Sequence, residues 1–141
     1  MIIGQLLAQN RAWSDKMQCH GSQFFSRLER QQTPRYLWIG CSDSRVAANQ
    51  ILDLAPGEVF THRNIANLVV QSDLNCLSVL QFAVDILQIS QIMVVGHYGC
   101  SGIRAAQEDQ RFGLVDNWIK HIHESGASIT GCLINMRRSS K

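Results

Sequence analysis

Two short segments of this 141-residue chain carry side chains able to grip a metal ion. The first is Gly40-Cys41-Ser42-Asp43-Ser44-Arg45 and the second is Gly96-His97-Tyr98-Gly99-Cys100-Ser101-Gly102. Thiolate and imidazole are the preferred ligands of zinc, a borderline-soft ion that favours tetrahedral coordination. Two residues separate His97 from Cys100, so a single loop can deliver both, and the glycines around them permit tight turns. Cys41 completes a Cys₂His set. Catalytic zinc keeps three protein ligands and a fourth position for water or substrate, whereas structural zinc is usually closed by four. Each half alone is weak, since a buried cysteine is more often a small core residue. Together, each following an expected strand, they are far more specific.

The elements that must position them read as follows. Tyr36-Leu37-Trp38-Ile39 is a short apolar run suited to a buried strand, and Cys41 follows it directly. Pro56-Gly57 introduces a second strand at Glu58 to His62. Ser72 or Asp73 can cap a helix to about Leu87, with Leu77, Leu80, Val84 and Leu87 on one face and Cys76, Val79, Ala83 and Ile86 widening the stripe. A third strand, Ile92-Met93-Val94-Val95, contains no polar residue, as expected when both faces are covered. His97 follows it after one glycine. Helical signals resume at Ile103 to Glu108 and Leu114 to His123, and two helical pieces precede Thr33-Pro34, the second from Ser22 to Gln31.

Strands alternating with helices predict a three-layer α/β/α domain with a largely parallel sheet. Ligands of such sheets bind beyond the carboxyl ends of the strands, where both ligand-bearing loops would meet. A hydrophobic fraction of 45% and a charged fraction of 17% describe a globular chain. The net charge of +2 carries no nucleic-acid footprint. No apolar run reaches the roughly 18 residues of a membrane span. The first residues lack a basic leader and cleavage site, so the expectation is a cytoplasmic protein. Five cysteines, Cys19, Cys41, Cys76, Cys100 and Cys132, argue against a closed disulfide framework.

Beyond these patterns, Trp38-Ile39-Gly40-Cys41-Ser42-Asp43-Ser44-Arg45, Val59 to Asn67 (VFTHRNIAN) and Gly96-His97-Tyr98-Gly99-Cys100 resemble the defining motifs of bacterial-type β-class carbonic anhydrases. The similarity runs in register from about Leu6 to His123. It implies a zinc domain over 1–124, with N-terminal helices 1–32 and a sheet core 35–124, followed by a divergent tail 125–141 in place of the family's C-terminal edge strand and helices. It implies one Zn²⁺ per chain held by Cys41, His97 and Cys100, with Asp43 and Arg45 as a polar dyad beside it. The implied reaction is reversible hydration of carbon dioxide to bicarbonate and a proton. Trp38, Val46 and Arg63 match part of a non-catalytic bicarbonate pocket. The implied assembly is a homodimer or higher homo-oligomer, with no nucleic-acid or membrane partner.

Within that scheme, Arg45 can hold the Asp43 carboxylate away from the metal by a charge-assisted contact. If the contact breaks, Asp43 becomes a fourth zinc ligand and closes the site, a pH-dependent switch. Two local departures from the family are Ala47 in place of a proline and Ser101 in place of a glycine; the latter costs backbone freedom if the position needs positive φ. Two other readings stand beside the enzyme: a zinc-binding remnant without turnover, and a thiol redox protein using Cys41 and Cys100. His62 reads as a hydrogen-bonded structural histidine, Phe24 and Phe25 as helix core, and Trp13 and Trp118 as packing residues or interface anchors. Cys19, Cys76 and Cys132 read as ordinary thiols, with Cys76 on a core-facing stripe.

Overall fold

The computed structural model describes residues 2–21, 23–30 and 33–124. The expected tail, 125–141, lies outside the described residues, as does Cys132. The described chain falls into two compact units that divide between Thr33 and Pro34, the point where the sequence predicts a helix stop.

The first unit holds α1 (Ile3–His20) and α2 (Phe24–Arg30). Phe24 and Phe25 meet edge to face at 5.1 Å, and Phe25 meets Trp13 at 5.8 Å. The expectation that the two phenylalanines form a helix core fails, because no residue of α2 is buried. A pair of helices has too little surface to enclose three aromatic rings.

The second unit is built on three parallel strands in the order β2-β1-β3: β1 (Tyr36–Cys41), β2 (Val59–Asn64) and β3 (Gln91–Val95). Strand β1 is paired on both sides, and its residues from Leu37 to Cys41 are all buried. The chain leaves β1 through α3 (Ala48–Leu52) to β2 on one side. It then returns through α4 (Leu74–Gln81) and a π-helical turn (Phe82–Ile86) to β3 on the other side. The carboxyl end of β1 is therefore a topological switch point, the place where parallel sheets open a crevice. Helices α5 (Ser101–Gln107) and α6 (Leu114–Glu124) complete the unit. This is the α/β architecture the strand–helix alternation predicts, and no helix among the described residues is long and apolar enough to cross a membrane.

Two apolar clusters hold the unit together. Leu37 and Ile39 of β1 pack with Cys76, Ala83 and Ile89, joined by Phe60, Val79, Leu80, Leu87 and Val94. Beyond the strand ends, Cys41 and Ala66 pack with Cys100, Ala105, Ala106, Ile119 and Ile122. Two sequence expectations change here. The buried face of α4 and the turn after it is the Cys76–Val79–Leu80–Ala83–Leu87 side, while Leu77, Val84 and Ile86 are exposed, because at helical spacing they fall at the edges of that stripe, beyond what the sheet covers. Strand β3 is not covered on both faces: Ile92 is 45% exposed among the described residues, and β3 borders the three-stranded sheet. The Asp73 cap is as expected, its carboxylate accepting from the Asn75 N–H at 3.1 Å.

Candidate metal centre

Cys41 is the last residue of β1, and His97 and Cys100 lie on the loop between β3 and α5. The parallel register brings both chain ends to one rim, and one ligand atom from each of Cys41, His97 and Cys100 lies within 4.8 Å of the others. The two sulfurs are 3.6 Å apart, and both thiols are free. Two sulfurs bound to one tetrahedral zinc at about 2.3 Å stand roughly 3.8 Å apart, so the separation already suits a shared ion.

The histidine is aimed as a ligand. Its Nδ1 lies 3.0 Å from the Tyr98 carbonyl, which can only accept, so the proton sits on Nδ1 and Nε2 carries a lone pair. His97 Nε2 is buried and has no hydrogen-bond partner among the described residues. An unpaired buried acceptor beside two thiols is what a metal would satisfy. The donor set fits zinc.

Backbone donors surround the Cys41 sulfur. The N–H of Ala66 donates to it at 3.2 Å and that of Asp43 at 3.4 Å. Ala66 reaches it from a left-handed conformation, φ 65°, and Asn67 after it is also left-handed, φ 45°. Trp118 holds this turn by donating from its indole to the Ile65 carbonyl at 2.8 Å. Gly102 of α5 lets the turn approach, since a Cβ there would stand 2.7 Å from Ile65 Cγ2. Burial first, and the neighbouring Cys41 thiol after it, push the Cys100 thiol above its ordinary pKa.

Asp43 stands outside the trio of ligand atoms. One carboxylate oxygen accepts the Ser101 N–H at 2.8 Å, and the other meets Arg45 at 3.4 Å. The Ser101 hydrogen bonds, and then the Arg45 charge, hold its pKa below the usual carboxylate value. Ser101 opens α5 and is not among the positive-φ residues; that conformation falls to Gly99, so the serine carries no backbone cost. Of the three residues matched to a bicarbonate pocket, Trp38 and Arg63 project from the same sheet face, because Gly40 pairs with Arg63 and strands alternate with period 2. A Cβ at Gly40 would meet Trp38 Nε1 at 2.5 Å, so the strand needs glycine there. The Arg63 guanidinium is spent on carbonyls: Cys41 at 3.0 Å, Ser44 at 3.3 Å and Val46 at 2.9 Å. It ties down the loop that carries Asp43 and Arg45.

The carbonic anhydrase family profile matches residues 36–139, well over half of the chain. The chain belongs to the β-class carbonic anhydrases. A carbonic anhydrase of Emericella nidulans is 44% identical over 120 residues, covering 85% of this chain and 53% of the relative. The β-carbonic anhydrase of Coccomyxa, solved with acetazolamide, superposes with a TM-score of 0.79 at 42% identity, over 87% of this chain and 56% of that one. One of two tetrameric β-carbonic anhydrases of Sordaria macrospora gives a TM-score of 0.81 at 40% identity, over 86% of this chain and 62% of the other. This β-carbonic anhydrase chain thus spans about half the length of the relatives it matches. The profile match runs past His123, where the motif resemblance ends.

Sequence reasoning missed Ala66, Trp118, Gly102 and the clamping role of Arg63. The VFTHRNIAN run marks the right segment, but nothing in it signals a left-handed alanine. Gly102 was visible only as one of several loop glycines.

Proposed function

We propose that Cys41, His97 and Cys100 hold one zinc ion and that the centre catalyses reversible hydration of carbon dioxide to bicarbonate and a proton. The observation that carries this is the buried Nε2 of His97, unpartnered among the described residues, on a ring that lies within 4.8 Å of two sulfurs 3.6 Å apart. Zinc supplies Lewis acidity, which brings the pKa of water toward neutrality. The chain's own residues do the rest. Asp43 stays ionised through its Ser101 and Arg45 contacts, so it presents an acceptor that orients a proton donor in the crevice. Arg45 restrains that carboxylate from swinging onto the metal; released, Asp43 would become a fourth ligand and close the centre. The N–H groups of Ala66 and Asp43 stabilise thiolate charge on Cys41. Trp38, Val46 and Arg63 form part of an anion pocket beside it. A homo-oligomer is the assembly, in keeping with the tetrameric relatives from Sordaria.

A second reading is favoured by the Arg45 side chain, which is 65% exposed: the centre holds zinc without turnover, because an exposed ion pair contributes little restraint. Zinc content measured together with stopped-flow carbon dioxide hydration separates the two. Turnover together with zinc that is lost on Cys41→Ser/Cys100→Ser supports the enzyme, and the same zinc without turnover supports the second reading. A folded chain that takes no zinc overturns both. Arg45→Ala is expected to keep the metal and lose about 100-fold in hydration rate, the scale of a misplaced acid–base group.

A further inference from the structure

A second set of ligand types converges inside the other apolar cluster. His62 lies in β2 opposite Ile39, two residues after Phe60, on the face that packs beneath α4. At 7% exposure it is a polar side chain buried among apolar residues. Asp73 caps α4 and Cys76 stands three residues later, so both project from the same side of the first turn. One ligand atom from each of His62, Asp73 and Cys76 lies within 4.8 Å of the others.

We propose that His62, Asp73 and Cys76 form a second site for a thiophilic divalent cation, zinc foremost, separate from the Cys41–His97–Cys100 centre. The donor set is one imidazole, one carboxylate and one thiolate. Its charge of minus two with neutral imidazole cancels that of a divalent ion, so the assembled site buries no net charge. Calcium and magnesium, which prefer all-oxygen shells, are poor matches for a sulfur and a nitrogen.

The geometry is close to ready. Ligand atoms around a tetrahedral zinc stand about 3.5 Å apart, so atoms already within 4.8 Å of one another need draw in by little more than 1 Å. His62 Nε2 has only a long contact to the Asn64 amide, 3.4 Å, and that amide already donates to the Leu68 carbonyl at 2.7 Å. Asp73 engages one oxygen with the Asn75 N–H, and a carboxylate has a second. Asp73 is only partly buried, which gives an ion a route in from the helix end. This inference does not depend on the proposed activity.

The test is metal stoichiometry of the full chain dialysed against buffered Zn²⁺ alone. Wild type is expected to bind one equivalent more than Cys76→Ser. The variant Cys41→Ser/Cys100→Ser is expected to retain one equivalent, and its Co²⁺ form to show a thiolate-to-metal charge-transfer band that disappears when Cys76→Ser is added. Circular dichroism checks each fold. Should the double variant fail to fold, Asp73→Asn in the wild-type background must by itself lose the second equivalent. Equal zinc uptake by wild type, Cys76→Ser and Asp73→Asn would overturn the proposal.

Discussion

Replacing Arg63 by methionine keeps the aliphatic stem and removes the guanidinium fork. Three carbonyl contacts go with it, to Cys41, Ser44 and Val46. A hydrogen bond to a charged group contributes about 1.5–3 kcal/mol, but these three do not sum. The Val46 contact is exposed, and water replaces it at little cost. The Ser44 contact is long at 3.3 Å. Only the Cys41 carbonyl is bound both closely and within a buried residue. The expected loss is therefore about 2 kcal/mol of stability, near one full interaction rather than three. Because the same loop carries Cys41, Asp43 and Arg45, zinc affinity should fall by about 10- to 100-fold, the usual effect of losing an outer support. Urea unfolding read by circular dichroism gives the first quantity, and competition with a chromophoric chelator gives the second. Arg63→Lys restores the charge but offers a point donor in place of a fork, so it should recover only part of both. If Arg63→Met leaves stability and zinc affinity unchanged and alters only the response to bicarbonate, the clamp is wrong and the arginine serves the anion pocket alone.

Three further outcomes follow from single contacts. Gly102→Ala gains about 1 kcal/mol of helix propensity, yet its methyl would stand 2.7 Å from Ile65 Cγ2, and overpacking costs about 1–3 kcal/mol. Net destabilisation with weaker zinc binding is expected by thermal melt and chelator competition; a stabilised variant would show that the turn yields freely. Zinc affinity should rise with pH, by about tenfold per unit for the Cys100 proton alone, because burial holds that thiol protonated and ligation needs the thiolate. Calorimetry in buffers of different ionisation enthalpy counts the protons released, and a pH-independent affinity would contradict the assignment of Cys100. Ala47 precedes α3 at φ −73°, within proline's range, so Ala47→Pro should add about 0.4–1 kcal/mol in urea titrations; a loss instead would mean the backbone there resists proline.

Why some of this was legible in the sequence and some was not comes down to what a side chain reveals about its backbone. Cys41, His97 and Cys100 are chemically rare types set after apolar runs, and a parallel sheet leaves such residues only one rim to reach. Strand β1 was readable because it is paired on both sides and therefore apolar throughout. The same pattern misled at β3, since an apolar run states what a strand prefers to have around it, not which neighbours the described chain provides. The face of α4 was misjudged for a different reason: apolar residues occupy more of its circumference than the sheet covers, so the pattern does not single out the packed side.

The least legible residues are those that hold the ligands rather than being ligands. Ala66 contributes an amide, and any residue has one; what matters is its positive φ, which alanine adopts only under compulsion. That compulsion is distributed. The Trp118 indole fixes the Ile65 carbonyl, Gly102 admits the turn, and the Asn64 side chain bridges to Leu68, accepting its N–H and donating to its carbonyl, both at 2.7 Å. Each of these groups belongs to a different element, so no window of sequence contains the reason for the conformation. The Cys41 sulfur is thus placed by β1 but tuned by a turn whose strain α5 and α6 maintain. A substitution in those helices that frees Ala66 should change the metal centre without touching a ligand.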